Sequence, residues 1–237
     1  MSVAVILLHG FTHTGRSWEP VVAALGERYR PLAPDIRGHG TASDRTPVTL
    51  EAVIDDVAGL APETFTLAGY SMGGRIALHV ALALPDRVER LVLIGASPGI
   101  ADPAERAARC EADERLAGQI EHMSIEQVAA QWEATAPVLA GQPANVRLAA
   151  TADRLRNTPA GLARALRGLG TGALPSLWDR LRQLTMPVAL VVGARDQKFR
   201  QIAQQMASAI SDAEMVVVPG VGHAVHLEEP PAVAISI

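Results

Sequence analysis

Short, almost continuously apolar segments recur along this chain, and they constrain its fold more than any other feature. Between them lie segments with the apolar spacing of amphipathic helices. Strands that are apolar on both faces and alternate with helices predict a parallel sheet with right-handed crossovers and helices on both sides. The predicted strands cover residues 3–8, 29–35, 65–69, 90–95, 188–193 and 215–220, and the predicted helices cover residues 18–25, 50–60, 72–84 and 201–209.

One long segment interrupts this alternation. Residues 97–184 contain no strand-like run, are rich in Ala, Arg and Leu, and are divided by prolines and glycines at which helices would stop. They predict four or five short helices. We therefore expect an α/β core at residues 1–96 and 185–237, with a helical cap at 97–184 inserted between two strands. Such an insertion covers the carboxyl ends of the strands, where open parallel sheets bind ligands.

A serine lies between two glycines at one strand–helix junction. Residues 69–73 read Gly-Tyr-Ser-Met-Gly and match the pattern G-x-S-x-G, directly after the third predicted strand and at the start of a predicted helix. In a nucleophile elbow the tight turn holds the serine in a strained conformation, and only small residues fit two positions to either side. An ordinary glycine-rich turn would give the same letters, but the position between strand and helix favours Ser71 as a nucleophile.

A nucleophilic serine needs a base and an acid that orients the base, and for this elbow the chain order is serine, acid, histidine. Asp196 follows the fifth predicted strand and His223 follows the sixth, so both are expected at the same sheet edge as Ser71. His226 is a second candidate for the base. Asp212 is a second candidate for the acid, although it precedes a strand and should lie at the opposite edge.

Two backbone amides are expected to form the oxyanion hole. One belongs to Met72, the residue after the candidate nucleophile, and the other comes from the loop after the first strand. That loop reads His-Gly-Phe at residues 9–11, and we predict the amide of Phe11 as the second donor. His9 is expected to organise the loop rather than to transfer protons.

An arginine follows the serine by one helical turn. Arg75 lies four residues after Ser71, on the same helical face, and helical side chains lean back towards the helix N-terminus. This placement predicts a carboxylate-binding group in the floor of the pocket. The alternatives are a surface arginine, or one that pairs with an acid under the cap.

Several motifs together resemble a known superfamily. The segments "LLHGF", "PDIRGHG", "GYSMGG", "GARDQKF" and "GHAVHLEEP" occur in the order and spacing of the α/β-hydrolases. The resemblance implies the α/β-hydrolase fold, with a mostly parallel sheet flanked by helices and a helical cap inserted between strands. The superfamily's leading antiparallel strands are expected to be absent here, and the last helix is expected to be short or cut at Ile237.

A narrower resemblance includes the cap. The segments "GYSMGGR", "GASPGI", "AERAARCEADERLA", "QWE" with "PVL", "LRNTPAGLARALRGLGTGALPSLWDRL" and "RDQKF" are similar to the 2-succinyl-6-hydroxy-2,4-cyclohexadiene-1-carboxylate synthases of menaquinone biosynthesis. These lyases eliminate pyruvate from 2-succinyl-5-enolpyruvyl-6-hydroxy-3-cyclohexene-1-carboxylate. The resemblance implies that Ser71, His223 and Asp196 act as a general-base triad, with no cofactor and no metal.

The same resemblance assigns the substrate contacts. It implies that Arg75, Arg109 and Arg156 bind substrate carboxylates and that Trp132 lines the pocket. The family often has a tyrosine directly after this tryptophan, whereas this chain has Glu133. The expected ligand is a small molecule that carries several carboxylates.

Composition limits the partners and the compartment. The net charge is −4 and there is no basic stripe, which argues against nucleic acid. Cys110 is the only cysteine, which excludes an internal disulfide and fits a reducing compartment. The apolar N-terminal run lacks a basic leader and is too short to cross a bilayer, so we expect a cytoplasmic protein without membrane insertion.

Two other functions remain open at this point. A carboxylesterase or C–C bond hydrolase would use the same triad in a mostly apolar pocket. A non-catalytic ligand receptor would use the same fold, although the complete set of triad residues argues against it. The sequence does not determine the oligomeric state.

Overall fold

The sheet has six strands, and every neighbouring pair is parallel. In a computed structural model, which describes residues 2–136 and 141–237, the strand order is β2-β1-β3-β4-β5-β6. The strands are β1 (Val3–Leu8), β2 (Tyr29–Leu32), β3 (Phe65–Tyr70), β4 (Val88–Ile94), β5 (Val188–Gly193) and β6 (Ala213–Val218). The predicted fold class is confirmed.

The helices follow the strands in alternation, except for a group between β4 and β5. In chain order they are α1 (Glu19–Ala24), α2 (Leu50–Leu60), α3 (Met72–Ala83), α4 (Pro103–Ile120), α5 (Ile125–Thr135), α6 (Ala144–Arg154), α7 (Pro159–Leu169), α8 (Gln197–Ala209), α9 (Val225–Glu228) and α10 (Pro230–Ser236). Short 3-10 helices lie at Gly15–Trp18, Gly40–Ala42 and Trp178–Gln183.

Two apolar layers cover the sheet, which explains the continuous apolar runs. All six residues of β3 and all six of β5 are buried, because helices pack against both faces of these strands. Each fully buried Leu, Ile or Val contributes roughly 1.5–3 kcal/mol. One layer includes Leu8, Leu67, Ile76, Leu93 and Met206. The other includes Val5, Leu7, Trp18, Val92, Val225 and Val233.

Helices α4–α7 and the 3-10 helix Trp178–Gln183 occupy the segment where the cap is predicted. Three of them, α4, α5 and α7, share a small apolar core, which includes Ala117, Ile120, Val128, Leu162, Ala163 and Leu166. Phe11, from the loop after β1, packs against this core. The group of helices therefore lies over the carboxyl ends of the strands. Residues 137–139, the "PVL" motif, lie outside the described residues.

Some boundaries differ from the predicted ones for local reasons. Helix α8 begins at Gln197 rather than at residue 201, because the Asp196 side chain caps it by accepting a hydrogen bond from the Phe199 amide. The predicted helix 18–25 is a 3-10 turn followed by α1, with Pro20 in the first helical turn. None of the helices in the described ranges combines the length and the apolarity needed to cross a bilayer.

Candidate active site

Ser71 lies in a strained turn between β3 and α3. Its backbone has φ +51° and ψ −110°, a region that residues with a side chain rarely adopt. The turn closes only because glycines flank it. A Cβ on Gly69 would lie 2.4 Å from the Gly73 carbonyl oxygen, and a Cβ on Gly73 would lie 2.2 Å from the Leu8 carbonyl oxygen. This geometry presents the serine at the carboxyl edge of the sheet, as an elbow requires.

His223 and Asp196 form a close pair at the same edge. The Nδ1 atom of His223 lies 2.5 Å from the Asp196 Oδ2. The imidazole packs against Gly95, where a Cβ would lie 2.8 Å from its Cε1, and against the Phe199 ring at 4.5 Å between centroids. His223 lines the same cavity as Ser71. With Nδ1 engaged by the carboxylate, Nε2 is the nitrogen left to accept a proton.

The two rival residues lie elsewhere. His226 is fully buried between Trp18 and Tyr70, with ring centroids 5.0 and 4.1 Å away, and its nitrogens have no hydrogen-bond partner in the described part of the chain. Burial and the neighbouring histidines hold the pKa of His226 well below its usual range. Asp212 directly precedes β6 and therefore lies at the opposite edge of the parallel sheet.

The loop after β1 approaches Ser71 closely. A Cβ on Gly10 would lie 2.7 Å from the Tyr70 ring and 3.6 Å from the Ser71 Cβ. The next residue, Phe11, lines the cavity together with Met72. Met72 begins α3, so its amide has no acceptor within the helix. Both predicted oxyanion donors therefore lie in residues around the serine.

His9 connects two loops. Its Nε2 accepts a hydrogen bond from the Ile36 amide at 2.9 Å, and its Nδ1 lies 2.9 Å from the Gly10 carbonyl oxygen. Because Nε2 accepts, the ring is neutral with the proton on Nδ1, and burial lowers the pKa of His9 to about 4. These bonds fix the start of the loop that carries Phe11, and His9 itself is absent from the lining of the cavity.

A cavity of about 490 Å³ lies between the sheet edge and the cap. It is lined by Phe11, Ser71, Met72, Arg75, Ser97, Gly99, Ile100, Arg109, Ala112, Asp113, Leu116, Trp132, Ala165, Leu166, Gly170, Thr171, Trp178, Lys198, Phe199, Ile202 and His223. In residues 2–136 and 141–237, no group of three or more His, Cys, Asp or Glu side chains is placed to hold a metal ion.

Two arginines line this cavity, Arg75 from α3 and Arg109 from α4. Arg75 is 6% exposed, donates from Nη1 to the Thr171 hydroxyl at 2.7 Å, and makes no ion pair with a carboxylate of the described residues. Burial and the nearby Arg109 lower the pKa of Arg75 to about 10, so it stays charged at neutral pH. Arg109 donates from Nε to the Asp113 Oδ1 at 2.7 Å, one turn along α4. The Asp113 carboxylate is near enough to raise the pKa of Arg75 in part, but it makes no direct ion pair with it, and a buried cation without such a pair favours an anionic ligand.

Trp132 forms part of the cavity wall. Its ring meets the Phe11 ring edge to face at 5.1 Å, which joins α5 of the cap to the loop of the predicted oxyanion hole. Glu133, where the related proteins often have tyrosine, turns towards α6. It accepts a hydrogen bond from the Thr151 hydroxyl at 2.9 Å and lies 3.5 Å from Arg147.

The structure does not bring Arg156 to this cavity. Arg156 follows the C-terminus of α6, is exposed, and lines a separate cavity with His13 and Glu19. Arg154, two residues earlier, is 1% exposed instead. Its three side-chain nitrogens find no hydrogen-bond partner among the described residues. Because α6 ends here, positions 154 and 156 point in different directions, and the letter pattern alone does not reveal which one faces inwards.

Several lining residues were missed by sequence reasoning. Lys198, the only lysine of the chain, is exposed at the cavity, and its Nζ lies 5.7 Å from the centre of the Phe199 ring. Its position two residues after Asp196 is the signal that could have identified it. Thr171 and Asp113, the partners of the two arginines, lie far from Ser71 in sequence and carried no such signal.

Fold and site together define the class of protein. A strained serine between a strand and a helix, a histidine–aspartate pair at the same edge of a parallel sheet and an inserted helical cap are the arrangement of α/β-hydrolases. The model of the alpha/beta hydrolase family matches residues 5–235.

The chain belongs to the α/β-hydrolase family and, within it, to the family of the 2-succinyl-6-hydroxy-2,4-cyclohexadiene-1-carboxylate synthases. The synthase of that name from Enterobacter sp. (strain 638) is 34% identical, over 97% of this chain and 88% of the relative. The structure of MenH from S. aureus superposes with a TM-score of 0.91 and 28% identity, over 98% of this chain and 91% of the other. A thermophilic esterase from Thermogutta terrifontis, solved with malate bound, superposes with a TM-score of 0.86 and 26% identity, over 100% of this chain and 88% of the esterase.

Proposed function

We propose that this protein is a lyase that eliminates pyruvate from 2-succinyl-5-enolpyruvyl-6-hydroxy-3-cyclohexene-1-carboxylate. The product is 2-succinyl-6-hydroxy-2,4-cyclohexadiene-1-carboxylate. The observation that carries the proposal is the buried, unpaired Arg75 one helical turn from Ser71 in a cavity that Arg109 also lines. Similarity to synthases of this reaction over nearly the whole chain supports it.

The charges of the cavity support a substrate with several carboxylates. Arg75 and Arg109 raise the positive potential at the cavity, and among the described residues only Arg109 of the two makes an ion pair with a carboxylate, that of Asp113. Neither Arg154 nor Arg156 lines the cavity. We propose that Arg154, rather than Arg156, contributes a third positive charge beside the site. Its guanidinium is buried near Tyr70, the residue directly before Ser71. Each charge-assisted hydrogen bond contributes about 1.5–3 kcal/mol.

In the proposed mechanism Ser71 acts as a general base. His223, oriented by Asp196, accepts the hydroxyl proton of Ser71 as the serine oxygen takes a proton from a ring carbon. The negative charge that develops on the substrate is stabilised by the amides of Phe11 and Met72 and by Arg75. No covalent acyl-enzyme forms, and the chain's own residues supply the acid–base chemistry.

The remaining bond changes of the elimination take place within the substrate. The electron pair of the broken C2–H bond forms a C2=C3 double bond, the existing C3=C4 double bond shifts to C4=C5, and the bond between C5 and the enolpyruvyl oxygen breaks. The leaving group takes up a proton and is released as pyruvate, while the ring gains a conjugated diene. Trp132 and Phe11, packed edge to face, form an apolar wall that excludes water from the reacting carbon.

We further propose that the protein works in the cytoplasm. The single cysteine, Cys110, excludes an internal disulfide and fits the reducing cytoplasm in which the sequence is expected to function.

A carboxylesterase is the second candidate. The same triad and the likeness to the Thermogutta terrifontis esterase favour it. The cavity argues against neutral esters, because an ester pocket has no use for a buried, unpaired cation such as Arg75.

One comparison of substrates tests the proposal. Purified protein is given the enolpyruvyl precursor and, separately, a neutral p-nitrophenyl ester, and release of pyruvate is measured by coupling to lactate dehydrogenase. Rapid pyruvate release with slow ester turnover is expected. Fast ester turnover without pyruvate would overturn the proposed function in favour of an esterase.

Arg75→Ala separates the two activities further. Because Arg75 binds the charged substrate and takes no part in activating Ser71, we expect elimination to fall by about 100-fold or more while ester turnover stays within about twofold. Steady-state kinetics on both substrates measures this. An equal loss of both activities would show that Arg75 has a structural role.

A further inference from the structure

The end of α6 is connected to the loop after β1 by a group of buried hydrogen bonds. The Asp153 carboxylate accepts bonds from the Thr14 amide at 2.9 Å and from the Thr14 hydroxyl, and it lies 3.0 Å from the His13 Nδ1. Asn157, just after the helix, donates from Nδ2 to the Thr12 carbonyl oxygen at 2.8 Å. All five side chains are less than 10% exposed.

Asn157 also engages the loop after β2 and its own helix. Its Oδ1 accepts a hydrogen bond from the Gly40 amide at 3.0 Å, and its Nδ2 lies 3.1 Å from the Arg154 carbonyl oxygen. One side-chain amide thus joins the cap to the loop that carries Phe11 and to the loop after β2. The buried residue Arg154 lies in the same turn, between Asp153 and Asn157.

The peptide that Asn157 holds is strained. Thr12 has φ +67°, a left-handed conformation that costs a residue with a branched side chain about 1–3 kcal/mol. Thr12 follows Phe11, whose amide is a proposed oxyanion donor, so the conformation of Thr12 affects the direction in which the loop presents that amide. Strain of this kind persists only where surrounding contacts determine the backbone. The bond from Asn157 to the Thr12 carbonyl is such a contact.

We infer that Asn157, assisted by Asp153, is a positioning residue of the cap that holds the oxyanion loop in its active conformation. Asn157 touches no reacting atom. It acts through the backbone of Thr12 and Phe11, so that a correctly seated cap keeps the oxyanion hole formed. The inference rests on the proposed function only for the identity of the Phe11 amide as a donor.

Asn157→Asp tests this with little change in shape. The carboxylate still accepts from Gly40, but it has no proton for the Thr12 carbonyl and repels it. Removal of an oxyanion donor costs about 100- to 1,000-fold in rate, so displacement of one is expected to lower kcat for elimination by about tenfold or more, with KM within about twofold. The second readout is the rate at which a neutral p-nitrophenyl phosphonate reacts with Ser71, because the oxyanion hole also stabilises that transition state.

Two further variants keep the test specific. Arg164→Gln removes another bond between the cap and the core, from Arg164 Nη2 to the Ser43 carbonyl at 2.7 Å, without touching the oxyanion loop, and should leave both rates unchanged. Thr12→Gly in the Asn157→Asp background should restore at least part of the phosphonylation rate, because glycine adopts a positive φ without strain.

Each outcome decides the question. Normal kcat and phosphonylation rates in a folded Asn157→Asp protein would overturn the inference, as would equal losses in Arg164→Gln, or no recovery with Thr12→Gly. If Asn157→Asp unfolds, Asn157→Ala, which introduces no repulsion, gives the same comparison. Failure of the wild type to release pyruvate would refute the proposed function alone, because the phosphonylation ratios still test the role of Asn157.

Discussion

Arg154 and Arg156 are two residues apart, yet one is enclosed by the protein and the other is in solvent. A buried guanidinium without a partner destabilises the free protein, unless a ligand compensates its charge. Arg156 is exposed to solvent, so its charge does not destabilise the folded protein in this way. The pair therefore offers a matched comparison between a functional and a non-functional arginine in the same turn.

Arg154→Met is expected to lower kcat/KM for elimination by about tenfold or more, because a buried charge close to the site attracts a substrate with several carboxylates more strongly than a charge in solvent does. The free energy of unfolding should stay the same or rise, since the uncompensated buried charge is removed. Arg156→Met should change neither quantity. Steady-state kinetics and urea unfolding measure both. A loss of stability that parallels the loss of activity in Arg154→Met would assign it a structural role.

Individual functional residues can be predicted from the sequence where the local backbone geometry limits which residue types fit. The turn around Ser71 was predictable because its geometry requires Gly69 and Gly73 at fixed positions. His223 was distinguished from His226 by its place directly after a strand. The family resemblance implies Arg156, whereas the burial of Arg154 depends on the packing of α6, which the local residue pattern does not reveal.

At the scale of elements, α4 contributes Arg109 and Asp113 to the cavity and is held close to the loop that carries Thr171. A Cβ on Gly172 would lie 2.4 Å from the Cys110 backbone nitrogen and 2.9 Å from the Arg109 carbonyl carbon. The close approach of helix and loop at this point brings Arg109 near Thr171, the hydrogen-bond partner of Arg75. The sequence predicted helices in this segment, but not this contact between two distant parts of the chain.

Gly172→Ala should push α4 away from the loop, because the atoms it would meet belong to the backbone. We expect a higher KM for the carboxylate-rich substrate and a loss of about 1–3 kcal/mol in the free energy of unfolding. Gly118→Ala lies on the same helix with no atom within 4 Å of the added Cβ, and it should stabilise the protein by about 0.5–1 kcal/mol with unchanged KM. Similar KM values for the two variants would contradict the role given to this contact.

At the scale of the whole molecule, the sheet was predictable and the arrangement of buried polar groups was not. Continuous apolar runs such as β3 and β5 are buried on both faces, so their sequence reports their environment directly. The histidines behave differently. His9 and His13 from the loop after β1, His39 from the loop after β2 and His226 from α9 come together, and all are buried. Nothing in the local sequence marks them as a group.

These four histidines make stability depend on pH. Burial is the largest cause that lowers the pKa of each, to about 4 for His9 and well below the usual range for His39 and His226. In the unfolded chain each histidine binds a proton below about pH 6.5, whereas in the folded protein it stays neutral until a lower pH. The contribution of these histidines to the free energy of unfolding is therefore at its maximum above pH 6.5. It falls as the pH drops towards 4, by up to about 1.4 kcal/mol per pH unit for each histidine.

Urea unfolding between about pH 8 and pH 5 measures this slope, with a plateau expected above about pH 7. His226→Phe is the sharpest variant, because the ring packs between Trp18 and Tyr70 and its nitrogens bond to no described residue, so phenylalanine preserves the packing and removes the titration. Its stability should fall less steeply below pH 6.5 than that of the wild type. Equal slopes for the two proteins would mean that His226 takes up a proton without unfolding, and would refute its assignment as a neutral buried group.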